Sequence, residues 1–315
     1  MNMTYRHVAP ETDIPRMTEI LNAYSPGTAS VAALMHSEQH RPKDWLLQRI
    51  AAVDETDRLL GWSVAAHSPV AEEGRWLVRV TVDPAHQRCG IGAHLYDEAL
   101  RFARQNGAAR LDSDVRDSLP QGLRFAEARG FRVDRHLYES VLEVGRFDET
   151  AFEGVQAPEG IRLTSMAELG DGEEARRNLW ALEMALNQDV PGYATQGWEI
   201  PYDRYCKLVF EEPWYRADTQ LLALDGGVWV GMAALRLGEE NGVRYMYHNM
   251  TGVAASHRGR HIALALKLEA IRCARRYGVT ELRTDNDSEN APMVAINRKL
   301  GYQPRSGQYK LILPL

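Results

Sequence analysis

The chain of 315 residues, 44% hydrophobic and 25% charged, has the make-up of an ordinary globular protein, which argues against wholesale disorder or a fibrous repeat. At that length two domains of about 100–200 residues are a better expectation than one. The net charge of −6, from 37 basic and 43 acidic residues spread over both halves, argues against an extended phosphate-binding surface, so nucleic acid is not an expected partner.

The residues from Met1 to Asp13 contain no apolar stretch flanked by basic residues, and no run of about 18 apolar residues occurs, so no membrane association and a cytoplasmic location are expected. Cys89, Cys206 and Cys273 stand far apart without a CxxC or a Cys/His cluster, which points to metal-free chemistry. In chain order, a helix is expected near Ile14 to Tyr24, then strands at Leu59 to Ala66 and Trp76 to Val82. Ile91, Leu95, Ala99, Phe102 and Ala103 recur at three- and four-residue spacing, the pattern of an amphipathic helix that Gly107 stops. A strand at Ala109 to Val115, a helix ending at Gly130-Phe131 and a strand at Tyr138 to Val144 close this half. Gly145 to Gly160, which includes Pro158, reads as a linker.

The same order then returns. A helix near Glu173 to Leu186 precedes β-rich stretches at Gln220 to Leu235 and Tyr245 to Val253. A helix through Ile262, Leu266, Ala270 and Ala274 is stopped by Gly278. A strand at Thr280 to Asp285, a helix ending at Gly301-Tyr302 and a strand at Gln308 to Leu313 follow. Val82 to Phe131 aligns with Val253 to Tyr302 without a gap: His86 meets His257, Ile91 meets Ile262, Leu95 meets Leu266, Gly107 meets Gly278 and Gly130 meets Gly301. A period near half the chain means a duplicated domain, because solenoid units repeat every 20–50 residues or so. The expected domains are therefore 1–150 and 155–315.

In the first copy Val80-Thr81-Val82 runs through Asp83-Pro84-Ala85-His86 into Gln87-Arg88-Cys89-Gly90-Ile91-Gly92 at the start of the helix. A strand entering a glycine-containing loop at a helix start presents unpaired backbone N–H groups and the positive helix end, which together hold a pyrophosphate. The segment from Gln87 to Gly92 resembles the Q/R-x-x-G-x-G/A signature of the GCN5-related N-acetyltransferase (GNAT) family, in the strand–loop–helix context that the family requires. The resemblance spans both halves, and tandem members of the family include enzymes that make mycothiol.

The resemblance implies an α/β fold with mixed sheets. Each domain would be a central, mostly antiparallel sheet with splayed strands, flanked by helices. It also implies acetyl-CoA as cofactor, and transfer of its acetyl group to the primary amine of a small molecule. Val82, Gln87, Arg88, Cys89, Gly90, Ile91 and Gly92 would bind the cofactor in the first copy. Their counterparts are Val253, Arg258, Gly259, Arg260, His261, Ile262 and Ala263, with His261 at the place of the first glycine. The Cβ of His261 restricts the close approach that glycine permits; Arg258 and Arg260 either meet the phosphates directly or are solvated charges at a helix start.

The resemblance further places Asn286 and Asn290 on the cofactor, with Asn290 bonding the pantetheine arm. Asn297 stands where relatives carry the tyrosine that protonates the departing thiolate, and the first copy has Leu119 and Ala126 at the matching places. In the family the amine attacks the thioester directly and a backbone N–H of the fourth strand, near Val82 or Val253, holds the oxyanion. A base from that strand is expected: Tyr247 or His248, which face opposite sides of a regular strand. The first copy offers no evident base at Trp76-Leu77-Val78-Arg79, so chemistry is expected in the second domain. Acceptor contacts are expected from Asn187 to Tyr193 and from Trp198 to Tyr205, with Asp189 either holding a cationic group or capping the turn before Pro191. The alternative from another class is a non-catalytic acyl-CoA-binding sensor or regulatory module.

Overall fold

The computed structural model describes residues 3–27, 29–40, 43–69, 71–190, 200–240 and 242–315. They fall into two compact units: unit 1 runs to Asp134 and takes in Gln308–Leu315, and unit 2 is Arg135–Gly307. In chain order the elements are β1 (Thr4–His7), α1 (Pro10–Tyr24), α2 (Val31–Gln39), β2 (Leu46–Val53), β3 (Leu59–His67), β4 (Arg75–Val82), α3 (Ile91–Gln105), β5 (Arg110–Arg116) and α4 (Pro120–Glu127). There follow β6 (Arg132–Glu143), β7 (Ile161–Ser165), α5 (Glu173–Asn187), α6 (Tyr202–Tyr205), β8 (Gln220–Asp225), β9 (Val228–Glu240), β10 (Val243–Val253), α7 (Ile262–Arg276), β11 (Glu281–Asp287), α8 (Ala291–Lys299) and β12 (Gln303–Pro314).

The strand order is β1-β2-β3-β4-β5-β12 in unit 1 and β6-β11-β10-β9-β8-β7 in unit 2. The registered neighbours are antiparallel, apart from the parallel pairs β4/β5 and β10/β11. A parallel pair needs a crossover, and α3 and α7 supply it. Ile91, Leu95, Ala99 and Ala103 are the buried face of α3, at the spacing the sequence shows. α7 is buried on more of its circumference, with Leu264, Ala265, Leu266, Lys267 and Leu268 all inside.

The compact units do not end at the expected boundaries of 150 and 155. The closing strand of the first copy, β6, pairs with β11 from Glu143↔Glu281 to Leu137↔Asp287, and the closing strand of the second, β12, pairs with β5 from Gln308↔Arg116 to Pro314↔Arg110. Each sheet is thus completed by the strand that follows the other copy. Nor is 145–160 a solvated linker. Phe147 and Phe152 stack at 5.5 Å and are buried in the main core of unit 2, and Arg275 donates to the Phe147 carbonyl at 2.8 Å. Two buried aromatic rings outweigh the turn-forming glycines around them.

Each parallel pair opens toward its helix. Registered pairing of β4 with β5 runs from Arg75↔Arg110 to Leu77↔Asp112, although β4 continues to Val82. β10 and β11 pair from Tyr245↔Glu281 to His248↔Thr284, and β10 continues to Val253. The two sheets differ at one point. β10 carries a bulge between His248 and Met250, leaving Asn249 as an extra residue, whereas β4 runs against β3 without a shift.

Candidate active site

Each copy places its signature loop directly after the strand that splays. In unit 1 Arg88 (φ 64°) and Gly90 (φ 83°) are left-handed; in unit 2 the matching Gly259 (φ 75°) and His261 (φ 63°) are. Both loops therefore trace the same path, and each assigns glycine to one of its two left-handed positions and a larger residue to the other. Neither Gly90 before α3 nor His261 before α7 caps its helix through a side chain, whereas Asn290 caps α8 by accepting from the Met293 N–H at 3.4 Å. The first N–H groups of α3 and α7 are thus left for an anion, which fits the pyrophosphate of acetyl-CoA.

The flanking residues are tied into the loops in related ways. Gln87 donates to the Tyr24 hydroxyl at 2.6 Å, and that hydroxyl donates to the Val82 carbonyl. Arg258, at the matching place in unit 2, donates directly to the Val253 carbonyl at 3.1 Å and is ion-paired with Asp189. Arg260 bonds Asp225 at 3.2 Å and the Glu159 carbonyl at 3.3 Å. Asp189 is therefore engaged by an arginine, not free for a cationic acceptor. Arg88, Cys89 and Gly90 are exposed, Ile91 and Ile262 point into the cores, and Gly92 lies against Phe125.

The sheet registers align the two splayed strands. Gly61↔Val82 corresponds to Gly231↔Val253, so Val80 matches Thr251 and, across the bulge, Val78 matches His248. Tyr247 and His248 face opposite sides. Tyr247 stacks under Arg236 (5.0 Å), and burial, then its bond to Asp285, pushes its phenol up. His248 is buried, with Nε2 at 3.0 Å from the Tyr302 hydroxyl and Nδ1 at 3.3 Å from Thr251 Oγ1. Burial, then the charge of Lys267, holds the imidazole well below its usual value, so it is neutral at physiological pH.

Lys267 is fully buried on α7, with Nζ over the Tyr302 ring at 5.1 Å and no hydrogen-bond partner among the described residues. Burial lowers its ammonium to about 7. Beside this group a cavity of about 220 Å³ is lined by Tyr138, Ser140, Asn286, Asn297 and Tyr302, among others. Asn297 donates to Asn286 Oδ1 at 2.7 Å, and Asn286 donates to Ser140 at 2.7 Å. The Oδ1 of Asn297 is buried without a partner. Asn290 lies at the N-cap of α8, apart from this network.

The sequence did not single out Thr251 or Lys267, and it marked Tyr302 only as the end of a helix. One signal was available. At the places of His248, Thr251, Lys267, Asn286, Asn297 and Tyr302, the first copy has Val78, Val80, Tyr96, Val115, Ala126 and Phe131. Those six pack together in a core of unit 1, so one copy fills with apolar side chains the space that the other fills with hydrogen-bonding ones.

Of the expected acceptor segment, residues 191–199, including Pro191, Tyr193 and Trp198, lie outside the described residues. Among the described residues of α5 and the segment from Ile200 onward, Trp180 donates to the Ile200 carbonyl at 2.7 Å, Arg177 lies over Tyr202 at 4.1 Å, and Tyr205 donates to Glu183. Burial raises the carboxyl of Glu183, against the bond from Tyr205. Among the described residues no helix is long and apolar enough to cross a membrane.

Comparison with known proteins agrees with the duplicated fold. The model of the acetyltransferase (GNAT) family matches residues 14–131 and again 184–302. A mycothiol acetyltransferase of Saccharomonospora viridis is 27% identical over 239 residues, 73% of this chain and 72% of that protein. The fold is shared with a GCN5-related N-acetyltransferase from Sphaerobacter thermophilus (TM-score 0.66, 19% identity, covering 99% and 95% of the two chains). It is shared also with a tandem GNAT protein of the clavulanic acid biosynthesis pathway (TM-score 0.62, 21% identity, 99% and 98%). The chain belongs to the GNAT family of acetyl-CoA-dependent N-acetyltransferases, in a form that carries the domain twice.

Proposed function

We propose that unit 2 transfers the acetyl group of acetyl-CoA to the primary amine of a small molecule by direct attack, and that unit 1 contributes a phosphate loop without the chemistry. The observation that carries this reading is the exchange of residues between the copies: the β10 bulge and the six polar side chains of unit 2 against an unbulged β4 and an apolar core in unit 1. A bulge re-aims the peptide groups of a strand, and the one at Asn249 lies where β10 leaves β11, four residues before the implied oxyanion donor near Val253 on the same splayed stretch. The name of the mycothiol acetyltransferase relative supports a small acceptor over a macromolecular one.

Acetyl-CoA supplies an activated acyl group on a thioester. The N–H groups at the start of α7 hold its pyrophosphate, with Gly259, Arg260, His261, Ile262 and Ala263 forming the cradle and Arg258 bracing it from the Val253 carbonyl. On the other face, Tyr247 with Asp285 is the polar pair available to the incoming amine; its phenol, raised as it is, orients the amine instead of taking a proton from it.

The test is incubation of the purified chain with acetyl-CoA and a panel of primary amines, followed by mass spectrometry. Acetylation of at least one amine supports the proposal. Tight binding of acetyl-CoA with no acetylated product would sink it.

A further inference from the structure

Asn297 cannot act as the tyrosine whose place it takes, because its amide has no acidic proton to give up, and one of its two N–H groups is already bonded to Asn286. If unit 2 is the catalytic one, another group must meet the charge on the departing sulfur. We propose that the Thr251 hydroxyl, aimed by His248 and Tyr302, is the hydrogen-bond donor to the sulfur of acetyl-CoA as the thioester breaks. This rests on the assignment of chemistry to unit 2 and names a catalytic residue for it.

Three observations converge on Thr251. It lies past the last registered β10/β11 pair, on the stretch of β10 that borders the opening, and is half-buried there. The bulge at Asn249 puts it on the same face as His248, facing α7, because Ala233 and Leu235 opposite them both belong to the core that α7 covers. Its hydroxyl is held at 3.3 Å by His248 Nδ1.

The direction of that bond follows from Tyr302. The phenol is 3% exposed, and its one hydrogen-bond partner among the described residues is His248 Nε2. Buried donors are paired, so the Tyr302 O–H donates to Nε2. A neutral imidazole has one acceptor and one donor nitrogen, so Nδ1 carries the proton and donates to Thr251 Oγ1. The threonine O–H is then left to point elsewhere. Lys267, over the Tyr302 ring, opposes protonation of the imidazole, which would otherwise make both nitrogens donors. In the reaction the amine nitrogen forms its bond to the acetyl carbon, and the C–S bond breaks with its electron pair on sulfur. Thr251 hydrogen-bonds that charge, and the proton shed by the amine reaches the thiolate through solvent. His248, Tyr302 and Lys267 are positioning residues in this account.

The experiment uses the full chain carrying Cys89→Glu, an exposed change that repels phosphate from the loop of unit 1, and unacetylated CoA as the probe. Calorimetry establishes binding, and the absorbance of the thiolate, followed against pH, reports the bound thiol. Thr251→Val should lower the thiolate population at pH 8 about tenfold, the effect of losing a charge-assisted hydrogen bond, while affinity at pH 6 stays within about twofold. Thr251→Ser should restore the wild-type titration. In the ligand-free protein, ¹⁵N NMR should show His248 protonated on Nδ1, and Tyr302→Phe should abolish that preference. Normal CoA binding with the same thiol titration in wild type and Thr251→Val would overturn the inference alone, as would a proton on Nε2. No CoA binding at unit 2 would overturn the assignment of chemistry to that unit, and the inference with it.

Discussion

Arg258 donates its Nε–H to the carbonyl oxygen of Val253 at 3.1 Å, closing the phosphate loop of unit 2 onto the end of the bulged strand. In unit 1 the same closure takes two residues, Gln87 and Tyr24. Arg258→Ala should therefore cost about 1–3 kcal/mol of stability, the worth of a hydrogen bond from a charged group, and weaken acetyl-CoA binding. Its ion pair with Asp189 is half exposed, so Asp189→Asn should cost no more than about 1 kcal/mol. Urea unfolding of the two variants separates the contributions.

Lys267 makes stability depend on pH in a direction unlike that of most proteins. Its ammonium falls from 10.5 to about 7 on folding. Between those values the unfolded chain holds a proton that the folded chain has released. Stability therefore rises with pH across that window, and the penalty is complete below it. The groups facing Lys267 are His248 and Tyr302, both themselves neutral near pH 7. Lys267→Met, close in volume, should raise stability at pH 6 and flatten the rise between pH 7 and 10, as measured by urea unfolding at a series of pH values.

His261 sits in the left-handed region at φ 63°, exposed and with no side-chain cap to compensate. A residue with a Cβ pays about 1–2 kcal/mol there, partly offset by the smaller entropy it loses on folding. His261→Gly should stabilise the chain by up to about 1 kcal/mol and, by removing the Cβ, tighten acetyl-CoA binding several-fold in calorimetry.

Asn297 is the donor to Asn286 Oδ1. Asn297→Ala would leave that buried oxygen unpaired, at a cost of about 1–3 kcal/mol, and would enlarge the adjoining cavity. Thermal unfolding should show the loss, while Asn290→Ala, which removes only a 3.4 Å helix cap, should cost about 1 kcal/mol.

The helices α3 and α7, the splayed strands and both signature loops were legible because apolar spacing and the loop's glycines are local, and the duplication made each copy a check on the other. β2 and α2 were not seen. In Leu46–Val53 the apolar residues do not alternate, and Val31–Gln39 buries none of its residues, so neither carries a clear period. Gly226-Gly227 divides the β-rich stretch Gln220 to Leu235 into β8 and β9. The exchange of β6 and β12 is invisible to any local pattern, because either closing strand satisfies either sheet edge. In the site, Lys267 escaped notice because a lysine on a helix is ordinarily solvated. Its burial follows from α7 being covered on most sides.

The most direct test of where the chemistry resides is the rate of CoA release with a responsive amine in two single variants. Cys89→Glu places a carboxylate in the loop of unit 1, and His261→Glu places one in the loop of unit 2; a carboxylate at a helix start favours the fold while repelling pyrophosphate. Turnover within about twofold of wild type in Cys89→Glu, and at least about 100-fold lower in His261→Glu, is the predicted result, since a repelled cofactor loses several kcal/mol of binding. Loss of turnover in Cys89→Glu with full activity in His261→Glu would contradict the account and return the reaction to unit 1.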